Sequence, residues 1–168
     1  YTMGAWIQGV TINNSGVTNF RLGEMIVYSS ALTTSQLQQV EGYLAHKWGL
    51  VGPSPTVPLS IPGCQLWLDG ADSSTITFGT GSSVASWRDK ANNYAVANSS
   101  AAYQPVYSEG TIRFNGVTSI SYLDIPTLTI GSSTFSIFFV IRNTSTTTEP
   151  GNAWAPHFFW PLSGSGFL

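Results

Sequence analysis

Apolar residues recur along this chain in two rhythms. From Phe20 to Tyr28, and again over Cys64-Gln65-Leu66-Trp67-Leu68, Ser83 to Trp87, Thr111-Ile112-Arg113-Phe114, Ile120 to Ile125, Leu128-Thr129-Ile130 and Phe135 to Arg142, short β-branched and aromatic runs lie between Gly, Asn, Asp and Ser turns. Trp6 to Ile12 reads the same way, ending at an Asn13-Asn14-Ser15-Gly16 turn. Strands at such spacing predict an antiparallel sandwich. Asn115-Gly116 after Phe114 predicts a two-residue hairpin.

The second rhythm occupies one place. Leu37, Val40, Leu44 and Trp48 fall at helical spacing, with Gln38, Gln39 and Glu41 on the other side. Thr33 with Gln36 three residues on forms a capping box, and Leu32 with Leu37 can close a hydrophobic staple. Gly49 supplies the stop, Lys47 sits where a cation favours the helix dipole, and Gly42 marks a close-packing point. A helix is expected over about 33–48. Beyond it, Gly52-Pro53-Ser54-Pro55-Thr56-Val57-Pro58 cannot continue a helix and reads as a stiff, extended spacer.

Composition narrows the partners. The chain has 168 residues, 42% hydrophobic and 13% aromatic, enough for a packed core. Only 8% are charged, against about 25% in typical soluble domains, with Ser, Thr, Asn and Gly in their place. Such a surface suits packing in an assembly or a coat of sugar. Six scattered Lys and Arg in a net charge of −2 offer no basic stripe for nucleic acid. The longest apolar run, 135–141, is far short of the roughly 20 residues of a membrane helix. The opening YTMGAWIQGV suggests a piece of a longer polypeptide. A lone Cys64 forms no intrachain disulfide and reads as a small buried residue.

Two stretches carry a family resemblance. GEMIVYSSALTTSQLQQVEGYLAHKWGL (23–50) resembles the C-terminal end of concanavalin A-like lectin/glucanase domains of the laminin-G-like type, in which a Glu-bearing strand precedes a helix ending like Tyr43 to Leu50. IPGCQLWLDGADSSTITFGTGSSVASWRDKANN (61–93) is similar to the opening of the same domain, through Leu66-Trp67-Leu68-Asp69-x-x-Asp72, Trp87-x-Asp89-Lys90 and later Phe114-Asn115-Gly116. After Lys90 the family often has Ser-Gly-Asn where this chain has Ala91-Asn92-Asn93. The resemblance implies an all-β, concanavalin A-like jelly-roll sandwich with one short helix. It also implies a non-enzymatic structural or adhesive module of a surface protein, as in minor capsid proteins of large DNA viruses. Its partners would be other structural subunits or surface glycans, in a virion or at the cell surface. Because end precedes beginning, the expectation is a tandem array: 1–50 closes one sandwich, 51–60 links, and 61–168 opens the next. A circularly permuted single domain is the rival arrangement.

Candidate chemistry is sparse. Retaining glycoside hydrolysis needs two carboxylates about 5–5.5 Å apart, which the glucanase branch sets on alternate residues of one strand. Here Glu24, Glu41, Glu109 and Glu149 each stand without a second acid nearby in sequence, so no catalytic residue is expected. Asp69 and Asp72 are a close acidic pair, readable as calcium ligands or as turn caps; no other cofactor is expected. His46 and His157 lack zinc-ligand neighbours. Asn13, Asn98 and Asn143 open glycosylation sequons. Trp67, Trp87, Trp154 and Trp160 with Tyr94, Tyr103 and Tyr107 could stack on sugars. Trp67 and Trp87 are expected in the core, and Trp154 is the candidate for glycan stacking.

Overall fold

The computed structural model describes residues 11–13, 20–49, 58–115, 121–128, 135–143 and 158–159. Strands β1 (Thr11–Asn13) and β2 (Phe20–Tyr28) come first, then helix α1 (Thr34–Lys47). After the spacer follow β3 (Cys64–Asp69), β4 (Ile76–Phe78), β5 (Val84–Arg88), β6 (Ala95–Ala97), β7 (Val106–Ser108) and β8 (Thr111–Phe114). The last three are β9 (Tyr122–Asp124), β10 (Ser136–Asn143) and β11 (Phe158–Phe159).

All pairings among these strands are antiparallel and build two sheets. One runs β11-β1-β9-β6-β5-β4; the other runs β10-β2-β8-β7, with β3 also paired to β2. Between the sheets lies the main core. Leu22, Met25, Val27, Leu66, Leu68, Ile112 and Phe114 come from the β2 sheet, and Val84, Trp87, Val96 and Leu123 from the other. The described residues are thus mostly β, in two sheets with one α-helix, as the short alternating runs predict.

Helix α1 lies on the outer face of the β2 sheet. Its start follows the sequence closely: Thr33 is the N-cap, its hydroxyl accepts from Gln36 N, and the Gln36 side chain accepts from Thr33 N at 2.9 Å. Gly49, at φ +76°, ends it. The buried face differs from the expected stripe. Val40 and Tyr43 go under, whereas Leu37, Leu44 and Trp48 are only partly covered. Val40 and Tyr43 meet Ile26, Tyr28, Ile61 and Trp67 in a second apolar cluster. Lys47, in the last turn as expected, reaches inward to Asp69 and Glu24.

A sheet covered on both faces explains why β3 does not alternate. Its last four residues, Leu66, Trp67, Leu68 and Asp69, are all buried. Leu66 and Leu68 point into the sandwich and Trp67 points under the helix. Strand β2 does the same, with one irregularity. Opposite β10 its pairing jumps from Glu24 to Leu22 across consecutive Val140 and Ile141, so Gly23 is an extra, bulged residue. Leu22 and Met25 therefore face the same core despite their odd spacing.

Two sequence expectations are corrected. First, two separate sandwiches would leave β2 and β3 in different sheets. Instead Glu24 to Tyr28 pair with Asp69 to Cys64, Phe20 to Leu22 pair with Phe114 to Ile112, and β10 closes the other edge of β2. Within this chain the described residues of 1–50 and 61–168 share one sheet and one core, because the apolar face of β2 is completed by strands from beyond the spacer. Second, the described strands on either side of Asn115-Gly116 do not pair with each other: β8 lies in one sheet, β9 in the other, and Asn115 bonds Ser121 through its backbone. The tight turn falls at Glu109 and Gly110 between β7 and β8, both at positive φ (52° and 72°). Gly42 is buried in α1, and Gly23 is a close-packing point too: a Cβ on Gly23 would fall 2.6 Å from the Trp48 ring.

Gly70, just past β3, is confined by main chain. An added Cβ there would lie 2.7 Å from the carbonyl oxygens of both Gly110 and Gly23, and Gly70 N itself donates to Gly23 O at 2.8 Å. Backbone cannot swing aside as a side chain can. Gly70→Ala should therefore lower stability by about 1–3 kcal/mol. Urea denaturation should read this as a lower midpoint at an unchanged m-value.

Candidate functional site

A fully buried carboxylate is the chemical centre of the described structure. Glu24, on β2 just past the bulge, is 0% exposed. Its Oε1 accepts from Tyr43 Oη at 2.8 Å and from Trp67 Nε1 at 2.6 Å. Its Oε2 accepts from Trp48 Nε1 at 2.8 Å and lies 3.3 Å from Lys47 Nζ. Each partner is placed by its element. Tyr43 and Lys47 are one helical turn apart on the inner face of α1, Trp48 caps the same helix, and Trp67 stands on β3 beside Glu24 on β2. A lone buried carboxylate would cost many kcal/mol; hydrogen bonds on both oxygens, with an ammonium nearby, offset that cost.

The network continues outward. Lys47 Nζ donates to Asp69 Oδ1 and, at 3.1 Å, to the Tyr43 hydroxyl oxygen. Lys90 Nζ donates to Asp69 Oδ2 at 3.1 Å and Asp72 Oδ2 at 3.0 Å, and it stands 4.6 Å from the centre of the Trp67 ring. Tyr43 and Trp67 meet edge to face, centroids 6.0 Å apart. Nearby, Asp89 is buried and staples the turn after β5: it accepts from Trp67 N at 2.5 Å, Ala91 N at 3.0 Å and Asn92 N at 2.6 Å.

Electrostatic shifts follow this layout. Burial, reinforced by the Glu24 charge, pushes the Tyr43 hydroxyl far above its ordinary value, so it remains a donor. The hydroxyl of Ser74, and next the Lys90 ammonium, hold the Asp72 carboxyl below the usual carboxylate range. Lys90 is raised: burial works against its charge, but its bonds to Asp72 and Asp69 outweigh that. The Cys64 thiol is pushed up to about 12 by burial and then by the Asp89 charge, which keeps it a thiol at neutral pH.

Sequence-predicted positions fare unequally. Asp69 and Asp72 do converge, but on the Lys90 ammonium, and Asp72 also caps the following turn through Ser74 N at 3.2 Å. Asp69 likewise accepts from Ala71 N at 3.1 Å, so the turn-capping reading describes both, and no group of three or more potential metal ligands occurs among the described residues. Asn98 is 3% exposed; its amide donates to Tyr122 O at 3.0 Å and its oxygen accepts from Ser100 N at 2.9 Å. That places it as a structural bracket, and corrects its reading as an exposed glycan acceptor. Trp67 and Trp87 are buried as expected. The side chains of Asn13 and Asn143, and Trp154 altogether, lie outside the described residues.

What sequence reading missed is Glu24. It is isolated along the chain, yet it lies across from Asp69 in the β2–β3 ladder. The available signal was the company it keeps. Glu24, the Tyr43-to-Trp48 ending, Trp67, Asp69, Asp72, Asp89 and Lys90 are the same residues that carry the family resemblance, and they meet in one place. No known family model, curated protein or solved structure matches this chain.

Two outcomes test this electrostatic account. In Glu24→Gln an amide group must face indole and phenol donors and leave Lys47 short of one anion, so stability should fall by about 3–5 kcal/mol. Glu109→Gln should change it by no more than about 0.5 kcal/mol, because that carboxylate, paired with Arg21 at 2.7 Å, is 80% exposed. The second outcome concerns pH. A depressed folded-state value means that the Asp72 contribution is present above the ordinary carboxylate range and lost as pH falls through the folded value. Asp72→Asn should therefore flatten the acid limb of a stability-versus-pH curve and, because Asp72 also helps to raise Lys90, flatten part of its alkaline limb as well.

Proposed function

We propose that this chain is a non-enzymatic structural module with the concanavalin A-like jelly-roll fold, working in an extracellular or virion surface assembly beside other structural subunits. The observation that carries this reading is the state of its best acid–base cluster. Glu24 has both oxygens occupied under a helix, and Asp69 is held between two ammonium groups. A general acid or nucleophile must reach substrate, and a carboxylate 0% exposed beneath Tyr43, Trp48 and Trp67 serves the packing of α1 instead. The scarcity of charge supports the same reading, since a surface of Ser, Thr, Asn and Gly suits contact with neighbouring subunits. Fold likeness alone carries no sugar specificity.

A second reading, adhesion to surface glycans, is favoured by one feature. Phe78 and Tyr103 are each 45% exposed, and both sit in aromatic pairs, Phe78 with Tyr107 at 5.6 Å and Tyr103 with Tyr122 at 5.8 Å. Exposed rings of this kind can stack on pyranose faces.

The two readings separate on a glycan array spanning plant, algal and bacterial oligosaccharides, run beside a reducing-end assay on β-glucans. Silence in both is the expected result for a structural module. Binding that Phe78→Ala and Tyr103→Ala abolish would establish the adhesive reading, and release of new reducing ends that Glu24→Gln abolishes would overturn both.

A further inference from the structure

We propose that Lys47 and Asp69 become joined by an isopeptide bond that the folded chain forms by itself. Three features on the page meet the chemical needs of that bond. The nucleophile and the electrophile are in contact: Lys47 Nζ pairs with Asp69 Oδ1. A third group able to move protons stands against the reacting nitrogen, with Glu24 Oε2 at 3.3 Å from Lys47 Nζ. Both carboxyl groups are nearly closed to water, the Asp69 side chain 7% exposed and the Glu24 side chain 0%, and the Lys47 side chain is 20% exposed.

In water, amine and acid meet as ammonium and carboxylate, which do not react. The reactive neutral amine and carboxylic acid differ from that pair only by transfer of one proton along the Lys47–Asp69 contact. A donor already in place is then suited to the next step. Lys90 Nζ holds Asp69 Oδ2, so negative charge growing on that oxygen is met by a fixed ammonium. Proximity does the rest, since two groups locked in contact react as if at very high concentration.

The atoms balance without an added reagent. The neutral Lys47 amine attacks Asp69 Cγ, forming the C–N bond and placing negative charge on Oδ2. Glu24 takes one proton from the attacking nitrogen and passes it to the Oδ1 hydroxyl. The C–Oδ1 bond breaks, Oδ1 leaves as water, and the carbonyl re-forms at Oδ2 as an amide. Glu24 is regenerated as a carboxylate. Net charge is unchanged, because one ammonium and one carboxylate disappear together. Lys90 then remains with Asp72, Glu24 keeps its indole and phenol donors, and a buried ion pair has become a neutral amide.

Such a bond would tie the end of α1 to the end of β3 across the proline spacer, and nothing in it depends on a glycan ligand. Intact mass of the denatured full chain tests it directly: the expected value is the sequence mass less one water. Trypsin cuts after an unmodified Lys47 but not after one acylated at Nζ. Residues 22–88, which contain no other Lys or Arg before Arg88, should therefore emerge as one peptide lighter by one water. Lys47→Arg should restore the full mass and the cut, and Glu24→Gln should restore the full mass. Asp69-Gly70 can also lose water by closing a succinimide. In that case the cut after Lys47 persists and the loss survives in Lys47→Arg, a result that overturns the proposal. A folded wild-type chain that keeps its full mass after prolonged incubation overturns it as well, whatever the variants do. Retention of the water loss in Glu24→Gln overturns the role of Glu24 as proton carrier.

Discussion

One carboxylate organises the outer layer of this fold. Glu24 sits where a sheet and a helix meet, and an unpartnered negative charge there would cost more than most apolar contacts return. It is tolerated because donors from two elements converge on it: the phenol and ammonium of α1 with the Trp48 indole at that helix's end, and the Trp67 indole of β3. Those groups reach Glu24 only if the helix lies at one height and one rotation on the sheet. Apolar contacts between Val40, Ile26, Tyr28 and Ile61 favour docking in general. The directional bonds choose among the docked arrangements.

The same constraint joins the two sides of the spacer. Trp67 and Asp69 come from beyond it and Glu24, Tyr43 and Lys47 from before it, yet their polar atoms complete one another. The backbone ladder from Glu24–Asp69 to Tyr28–Cys64 repeats the message in main-chain hydrogen bonds. A proline-rich spacer marks a stiff connection. It does not mark a break in the core when complementary strands lie at both of its ends.

How much of this was legible in the sequence depends on whether the information was local. The bounds of β2, the Thr33–Gln36 capping box and the Gly49 stop were readable, because neighbours along the chain determine them. The inward turn of Lys47 was not: at a helix end a lysine has a good local reason to face water, and a partner twenty-two residues away overrode it. The burial of Asn98 follows the same logic, since the acceptor that captures its amide, Tyr122 O, lies in another strand. The unalternating burial of β3 reflects a sheet covered on both sides, which periodicity within one strand does not report. The candidate site was half legible. Its residues stood out as motif letters, while their convergence on Glu24 required the pairing of β2 with β3.

The bulge at Gly23 has a wider meaning for how such a strand can change over generations. By inserting one residue it lets a single ribbon keep Leu22 and Met25 in the same interior despite their odd spacing, with Glu24 left facing the helix. Drawing that residue into the regular ladder would rotate one arm of the strand by half a turn and carry an acid into the greasy middle of the sandwich. With the Trp48 ring against it, the position is also nearly closed to any larger side chain. Lineages of this fold could vary freely in their turns while this one site keeps its identity.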